Sequence, residues 1–371
     1  RGNITSWGAA EACVGGGRFL GLGARMDSEC VSGLASLDGD ALCRLWPRER
    51  VSTGLQVCKA FAETLRSAPW VVLRVSRLAS HKWGQRGKQA GISEPRAGCD
   101  AAETVSSLLL QFSAQHSSVE LLAPRVKEHA AVLRGLSLAT DRQFRGLVGL
   151  DLKQNRLDDA AIISLSLSLH HCSSLSHLDL SQNRCGAAGA EGLCGAFTHL
   201  PLLKSLHLGS NFLGACGGAA VAGKLPLLSS IVSLDLRSND LEEDAARCLA
   251  DALPHCMYLT DLDLEGNELG CRGVELLAPA LSSCPSLSIL NLAGNAIGPN
   301  GARALAEELP RCESMWYLSL SENSLGDDGA SALIEALVHC PPSVEHLDLQ
   351  SNNLVNLPPR QTPLGACQVY L

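Results

Sequence analysis

The chain of 371 residues is 46% hydrophobic, 18% charged and only 4% aromatic, which is too apolar for a disordered chain and long enough for a sizeable core. Its 38 acids against 30 bases leave a formal charge of −8, so no concentrated basic face offers itself to nucleic acid, and no uninterrupted apolar run reaches membrane-spanning length. Sixteen cysteines are too sparse for a disulfide scaffold and none forms a C-x-x-C pair, so zinc-ribbon and thioredoxin-type readings fail on spacing. The first residue is Arg1 rather than methionine; the chain is expected to be a fragment or a processed product, and a missing signal peptide proves nothing. Residues 1–30 are glycine-rich and expected to be loose. Gly21 and Gly23 make no nucleotide fingerprint, because Met26 stands where G-x-G-x-x-G needs its third glycine.

Residues 31–76 are compositionally separate, and four of the five tryptophans precede residue 84. They carry Leu34, Leu37, Leu42 and Leu45, then Pro47-Arg48, Val57-Cys58-Lys59, Phe61, and Trp70 followed by Val71, Val72, Leu73 and Arg74. This order of a leucine-spaced helix, a Pro-Arg turn, a Val-Cys-Lys helix and a tryptophan with a strand-like end resembles a divergent F-box. The usual proline after the first leucine is absent, and Phe61 stands where tryptophan is common. The resemblance implies that Leu37, Leu42, Leu45, Pro47, Val57 and Trp70 contact a cullin-ligase adaptor. The plainer reading of the same residues is a small helical cap on the N-terminal edge of the repeat region.

Residues 77–104 scatter Arg77, Lys82, Arg86, Lys88 and Arg96 among Gly, Ser and Gln, the pattern of a solvated linker. Residues 105–146 are expected to hold a helix, from Thr104 to about Leu122 around Leu108, Leu109, Leu110 and Phe112, packed on the first repeat. A degenerate capping strand comes next, at Leu133 to Asp141.

From residue 147 to 357 the sequence repeats itself. Asn155, Asn183, Asn211, Asn239, Asn267, Asn295 and Asn323 are 28 apart, and Asn352 comes after a step of 29. Each closes an L-x-L-x-x-N frame, such as Leu262-Asp263-Leu264-Glu265-Gly266-Asn267. Alternation with period two predicts a short strand with one buried face, and the asparagine falls where the chain leaves the sheet and its backbone needs side-chain partners. A small-residue column comes next (Gly189, Gly217, Gly273, Gly301, Gly329), then leucines four apart on one helix face, such as Leu277 and Leu281. One strand and one helix cannot bury their own apolar sides, so eight units are expected to stack. The frame resembles the leucine-rich repeat family in its ribonuclease-inhibitor-like subtype. That resemblance implies an α/β solenoid, a curved horseshoe with a parallel sheet on the concave face and helices outside. Residues 358–371, after Pro358 and Pro359, read as a C-terminal cap or loose tail.

Cys172, Cys256, Cys284, Cys312 and Cys340 share a repeat column with Leu200 and Leu228, which marks a buried small-apolar position. The thiols read as free, which implies a reducing, cytoplasmic setting. His171, His199, His255 and His339 precede this column, and exposed repeat polarity explains them better than a zinc ladder. No phosphate loop, H-E-x-x-H or G-x-S-x-G occurs. The expectation is therefore a non-enzyme without cofactor or metal, recognising another protein.

Side chains flanking the strand leucines carry no packing duty. They include Asp179, Asp235, Asp261, Asp263 and Glu265, and with Asp151 and Asp348 they make seven acids against the two bases Lys153 and Arg237. Unit charges 5 Å apart in water repel by roughly 0.8 kcal/mol before screening, so stacked aspartates are a mild cost that a basic partner would explain, although L-D-L also recurs in this family whatever it binds. Toward the C-terminus Trp316 and Tyr317 lie between Ile289 and His346, a second candidate docking patch, since tryptophan and tyrosine anchor interfaces. The expected partner is a protein with a basic or mixed apolar surface, bound without membrane or nucleic acid. The F-box resemblance adds the substrate-receptor arm of a ubiquitin ligase. Rival readings are a regulator of another enzyme, similar to Ran GTPase-activating protein, and the sensor end of a nucleotide-binding immune-type receptor.

Overall fold

The computed structural model describes residues 19–20, 25–26, 70–74, 118–122, 147–337, 344–356 and 367–371. The chain divides into two compact units, Arg1–Asn155 with His171–Leu175, and Arg156–His170 with Ser176–Leu371.

In the first unit, β1 (Phe19–Leu20) and β2 (Arg25–Met26) pair antiparallel. Strands β3 (Trp70–Arg74), β4 (Ser118–Leu122) and β5 (Leu147–Asp151) form a parallel ladder with Leu73 opposite Leu121 and Leu121 opposite Leu150. The helix expected up to Leu122 is corrected at its end. Ser118-Val119-Glu120-Leu121 alternates with period two, and pairing on both sides supplies backbone hydrogen bonds that a helical turn there would forgo. The strand-like end of the 31–76 segment is β3, and its ladder to β4 spans the expected linker. The Leu133–Asp141 capping strand, Leu37, Leu42, Leu45, Pro47 and Val57 lie outside the described residues.

The second unit is built from strand–turn–helix repeats. Its strands are β6 (His177–Asp179), β7 (Ser205–His207), β8 (Ser233–Asp235), β9 (Asp261–Asp263), β10 (Ile289–Asn291), β11 (Tyr317–Ser319), β12 (His346–Asp348) and β13 (Gln368–Tyr370). All pair parallel in chain order and in strict register, with Leu234, Leu262, Leu290, Leu318, Leu347 and Val369 in one row. Helices α1 (Asp159–Leu169), α2 (Ala187–Cys194), α3 (Gly214–Lys224), α4 (Glu242–Ala252), α5 (Gly270–Leu281), α6 (Gly298–Glu308) and α7 (Gly326–Leu337) each pack on the next.

The core lies between helices and sheet. Both strand leucines of every full unit, such as Leu262 and Leu264, are buried, and so are the helix leucines, such as Leu277 and Leu281. Each contributes roughly 1.5–3 kcal/mol relative to exposure. The small-residue column is explained by helix approach: a Cβ on Gly329 would lie 3.0 Å from Ala302 Cβ and 3.1 Å from Pro299 Cα. Cys256, Cys284 and Cys312 are buried and form no disulfide, and Leu200 and Leu228 in the same column are buried too.

The repeat asparagines are buried and form a ladder. Asn295 Nδ2 donates to Leu292 O at 3.0 Å in its own unit and to Leu264 O at 2.8 Å in the unit before. The residue before each asparagine has positive φ, glycine in two units (Gly266 at 62°, Gly294 at 65°) and a non-glycine such as Ser238 (51°) in the others. The chain turns sharply there, and the asparagine amide takes up the carbonyls that the short strand leaves behind. The additional residue before Asn352 falls within Cys340–Val344, of which only Val344 is described.

Candidate recognition surface

One face of the second unit's sheet packs on the helices, and the other is lined by side chains flanking the leucines. In the column between the leucines, the acids have a local duty. Asp179 Oδ1 accepts the N–H of Ser181 at 2.8 Å, Asp235 that of Arg237 at 3.1 Å, Asp263 that of Glu265 at 3.1 Å and Asp348 that of Gln350 at 3.0 Å. Asn291 does the same for Ala293 at 3.1 Å. These caps serve amide groups at the strand ends, which is the physical reason for L-D-L irrespective of any partner.

The acidic mid-section is also partly neutralised from within. Arg237 lies 3.3 Å from Asp235 and 3.7 Å from Asp263, tying two neighbouring strands. His207 lies 3.9 Å from Asp179. Burial works to raise the Asp179 carboxyl, but hydrogen bonds from His207 and Ser181 outweigh it and hold it below the usual carboxylate range. For Asp263, burial with the neighbouring Asp235 charge outweighs the Glu265 amide and Arg237 and pushes the carboxyl up. Asp235 is buried, so it offers little surface to a partner. Asp261 is half-buried and accepts from Thr260, while Glu265 is exposed and accepts from Asn291 Nδ2 at 3.0 Å.

The C-terminal candidates converge. Ile289, Tyr317 and His346 stand opposite one another in register on β10, β11 and β12. Trp316, 40% exposed, meets His346 edge-on at 4.9 Å between ring centroids, and Tyr317 lies 6.2 Å from Trp316 and 6.4 Å from His346. The expected tail contributes the fourth ring: Gln368–Tyr370 is strand β13, and Tyr370 stacks on His346 at 6.0 Å and 17°. Trp316 Nε1 donates to Glu345 Oε2 at 3.0 Å. Tyr370 and Glu345 escaped the sequence reading. The available signal was Gln368-Val369-Tyr370, whose lone central apolar residue repeats the pattern of His346-Leu347-Asp348.

Of the adaptor candidates, only Trp70 is described, as the first residue of β3. His171, His199 and His255 are exposed, and His339 lies outside the described residues. Among the described residues no three His, Cys, Asp or Glu side chains stand together as a metal site, and no helix is long and apolar enough to cross a membrane.

Buried leucines, an asparagine ladder and one helix per strand define an α/β leucine-rich-repeat solenoid, and the chain carries leucine-rich repeats. The family described as Leucine Rich repeat matches residues 171–194, 255–278, 283–306 and 311–333. No curated protein matches the chain in sequence. Among solved structures it is similar to an internalin from Listeria monocytogenes, at 14% identity and a TM-score of 0.44, over 89% of this chain and 96% of that one. A likeness of that size carries no argument about function.

Proposed function

We propose that the protein is a non-catalytic recognition scaffold of the ribonuclease-inhibitor-like subtype, which binds another protein on the open face of its repeat sheet. The observation that supports this most is the gathering of Trp316, Tyr317, His346 and Tyr370 from three successive strands onto a face that carries no packing duty. Large, rotor-poor rings with a polar rim are what interface anchors require. Asp179, Asp261, Asp263, Glu265 and Ile289 extend the face toward the middle of the sheet, whereas buried Asp235 serves mainly as a strand cap. Buried thiols outside any disulfide favour a reducing, cytoplasmic setting.

Affinity capture from cell extract followed by mass spectrometry tests the reading. Trp316→Ala with Tyr317→Ala should lose the specific partners, and Arg303→Ala on exposed helix α6 should retain them. Equal recovery from both variants would contradict it. The F-box resemblance of residues 34–75 adds a finer role as the substrate-receptor arm of a ubiquitin ligase. Its check is co-purification of a cullin adaptor with the full chain and loss of the adaptor on replacing Leu42 and Pro47.

A further inference from the structure

The Trp316 and Tyr370 polar hydrogens of the C-terminal ring cluster already have partners, and the charged side chains beside it are acidic. The indole N–H of Trp316 is taken by Glu345 at 3.0 Å. The Tyr370 hydroxyl donates to Gln368 Oε1 at 2.8 Å, and its oxygen lies 3.1 Å from His346 Nδ1. Apart from the Tyr317 hydroxyl, the cluster presents ring faces and the carboxylates of Glu345 and Asp348.

No lysine or arginine occupies a leucine-flanking position on β9 to β13. Arg237, on the β8 side, reaches Asp235 and Asp263. Among the described residues no arginine or lysine forms an ion pair with Glu345 or Asp348. Arg237 offsets part of the mid-section's charge, and among the described residues no base does the same for Glu345 and Asp348.

We propose that the Trp316–Tyr317–His346–Tyr370 cluster, flanked by Glu345 and Asp348, seats an arginine side chain of the protein partner. Ring faces carry negative quadrupoles that attract a cation, and the two carboxylates add the opposite charge. A guanidinium suits the place better than an ammonium. It is flat, weakly hydrated, able to stack on a ring, and able to give paired N–H bonds to a carboxylate in the same pose. The proposal rests on the open face being the recognition surface and names the chemistry that face selects.

The test uses the full chain and a capped Gly-Gly-Arg-Gly-Gly peptide, followed by the NMR signal of the Trp316 indole N–H, assigned by its loss in Trp316→Phe. The arginine peptide should shift that signal saturably. A citrulline peptide keeps the flat shape without the charge and should bind at least about fivefold more weakly, as should a lysine peptide. Glu345→Gln with Asp348→Asn should weaken the arginine peptide several-fold without lowering the unfolding temperature. The double substitution keeps the size and most hydrogen bonds of both side chains. No shift, or parity of citrulline or lysine with arginine, overturns the proposal. Its failure is separable from that of the proposed function. Partner capture that depends on Trp316 and Tyr317, with no arginine preference, removes the arginine seat and leaves the recognition face standing.

Discussion

The backbone N–H of Asn267 donates to the side-chain oxygen of Asn295, one repeat later, at 3.0 Å. The same oxygen receives Leu269 N at 3.3 Å, and Asn295 Nδ2 reaches back to Leu264 O at 2.8 Å. One amide therefore closes two units upon each other, and its column runs the length of the second unit.

Replacing Asn295 with alanine strands two buried N–H groups, those of Asn267 and Leu269, and takes from the carbonyls of Leu264 and Leu292 one of two donors, the other being Asn267 Nδ2 and Asn323 Nδ2 respectively. Each unsatisfied buried group costs about 1–3 kcal/mol, so the expected loss is about 3–5 kcal/mol, read from urea unfolding by circular dichroism. Asn295→Asp keeps the acceptor but turns an oxygen toward those carbonyls, and at pH 7 it should be no less damaging. A loss under about 1 kcal/mol for alanine would mean that the ladder is not what joins the units.

Glu242 has a φ of 57° at the start of α4, where Gly214 (60°), Gly270 (66°), Gly298 (67°) and Gly326 (62°) stand in other units. The left-handed conformation costs a side-chain-bearing residue roughly 1–2 kcal/mol. Removing one acid of the three in that helical turn gives back about 0.3–1 kcal/mol of favourable dipole interaction. Strain is the larger quantity, so Glu242→Gly should stabilise by about 0.5–1 kcal/mol in thermal unfolding. Destabilisation would show that the charge outweighs the strain.

Asp263 has its carboxyl pushed up, by burial first and then by Asp235. A carboxylate with a folded-state pKa above its unfolded value favours folding only while it is protonated, and that contribution is lost as pH rises through the folded pKa. At pH 7 the ionised group is thus a small burden. Asp263→Asn should stabilise by up to about 0.8 kcal/mol at pH 7, because Asn291 already shows that asparagine caps this turn. The gain should vanish at acid pH, where Asp263 is neutral. A gain that persists at low pH would point to some other cause.

The buried thiols of Cys172 and Cys284 are pushed up to about 12, and that of Cys256 to about 11, all by burial, with neighbouring thiols adding to the effect at Cys284. Iodoacetamide at pH 8 should label exposed Cys216 quickly and spare these three until urea unfolds the chain, as mass spectrometry of the labelled peptides would show. Raised folded pKa values mean that this stability is complete below about pH 9 and falls as pH rises toward 12, so unfolding should set in at alkaline pH. Rapid labelling of Cys284 in the native protein would contradict this packing.

The period of the asparagines and the L-x-L pattern made the repeat fold readable in advance, because buried leucines must alternate on a strand and recur on a helix. The capping role of Asp263 was not readable: an aspartate beside a strand looks the same whether it serves its own backbone or a partner. Ser118–Leu122 read as helix because its leucines lie close in sequence to Leu108 through Phe112, and only pairing with β5 reveals the strand. Tyr370 was hidden because the prolines before it interrupt the repeat, and its place beside His346 depends on a non-local strand pairing.

The most direct measurement is hydroxyl-radical footprinting of the chain alone and with its captured partner. Protection of Trp316, Tyr317 and Tyr370, with Met257 and Leu167 away from the cluster unchanged, is the predicted result. Protection confined to helix side chains, with the three rings as reactive as before, would contradict recognition on the open sheet face.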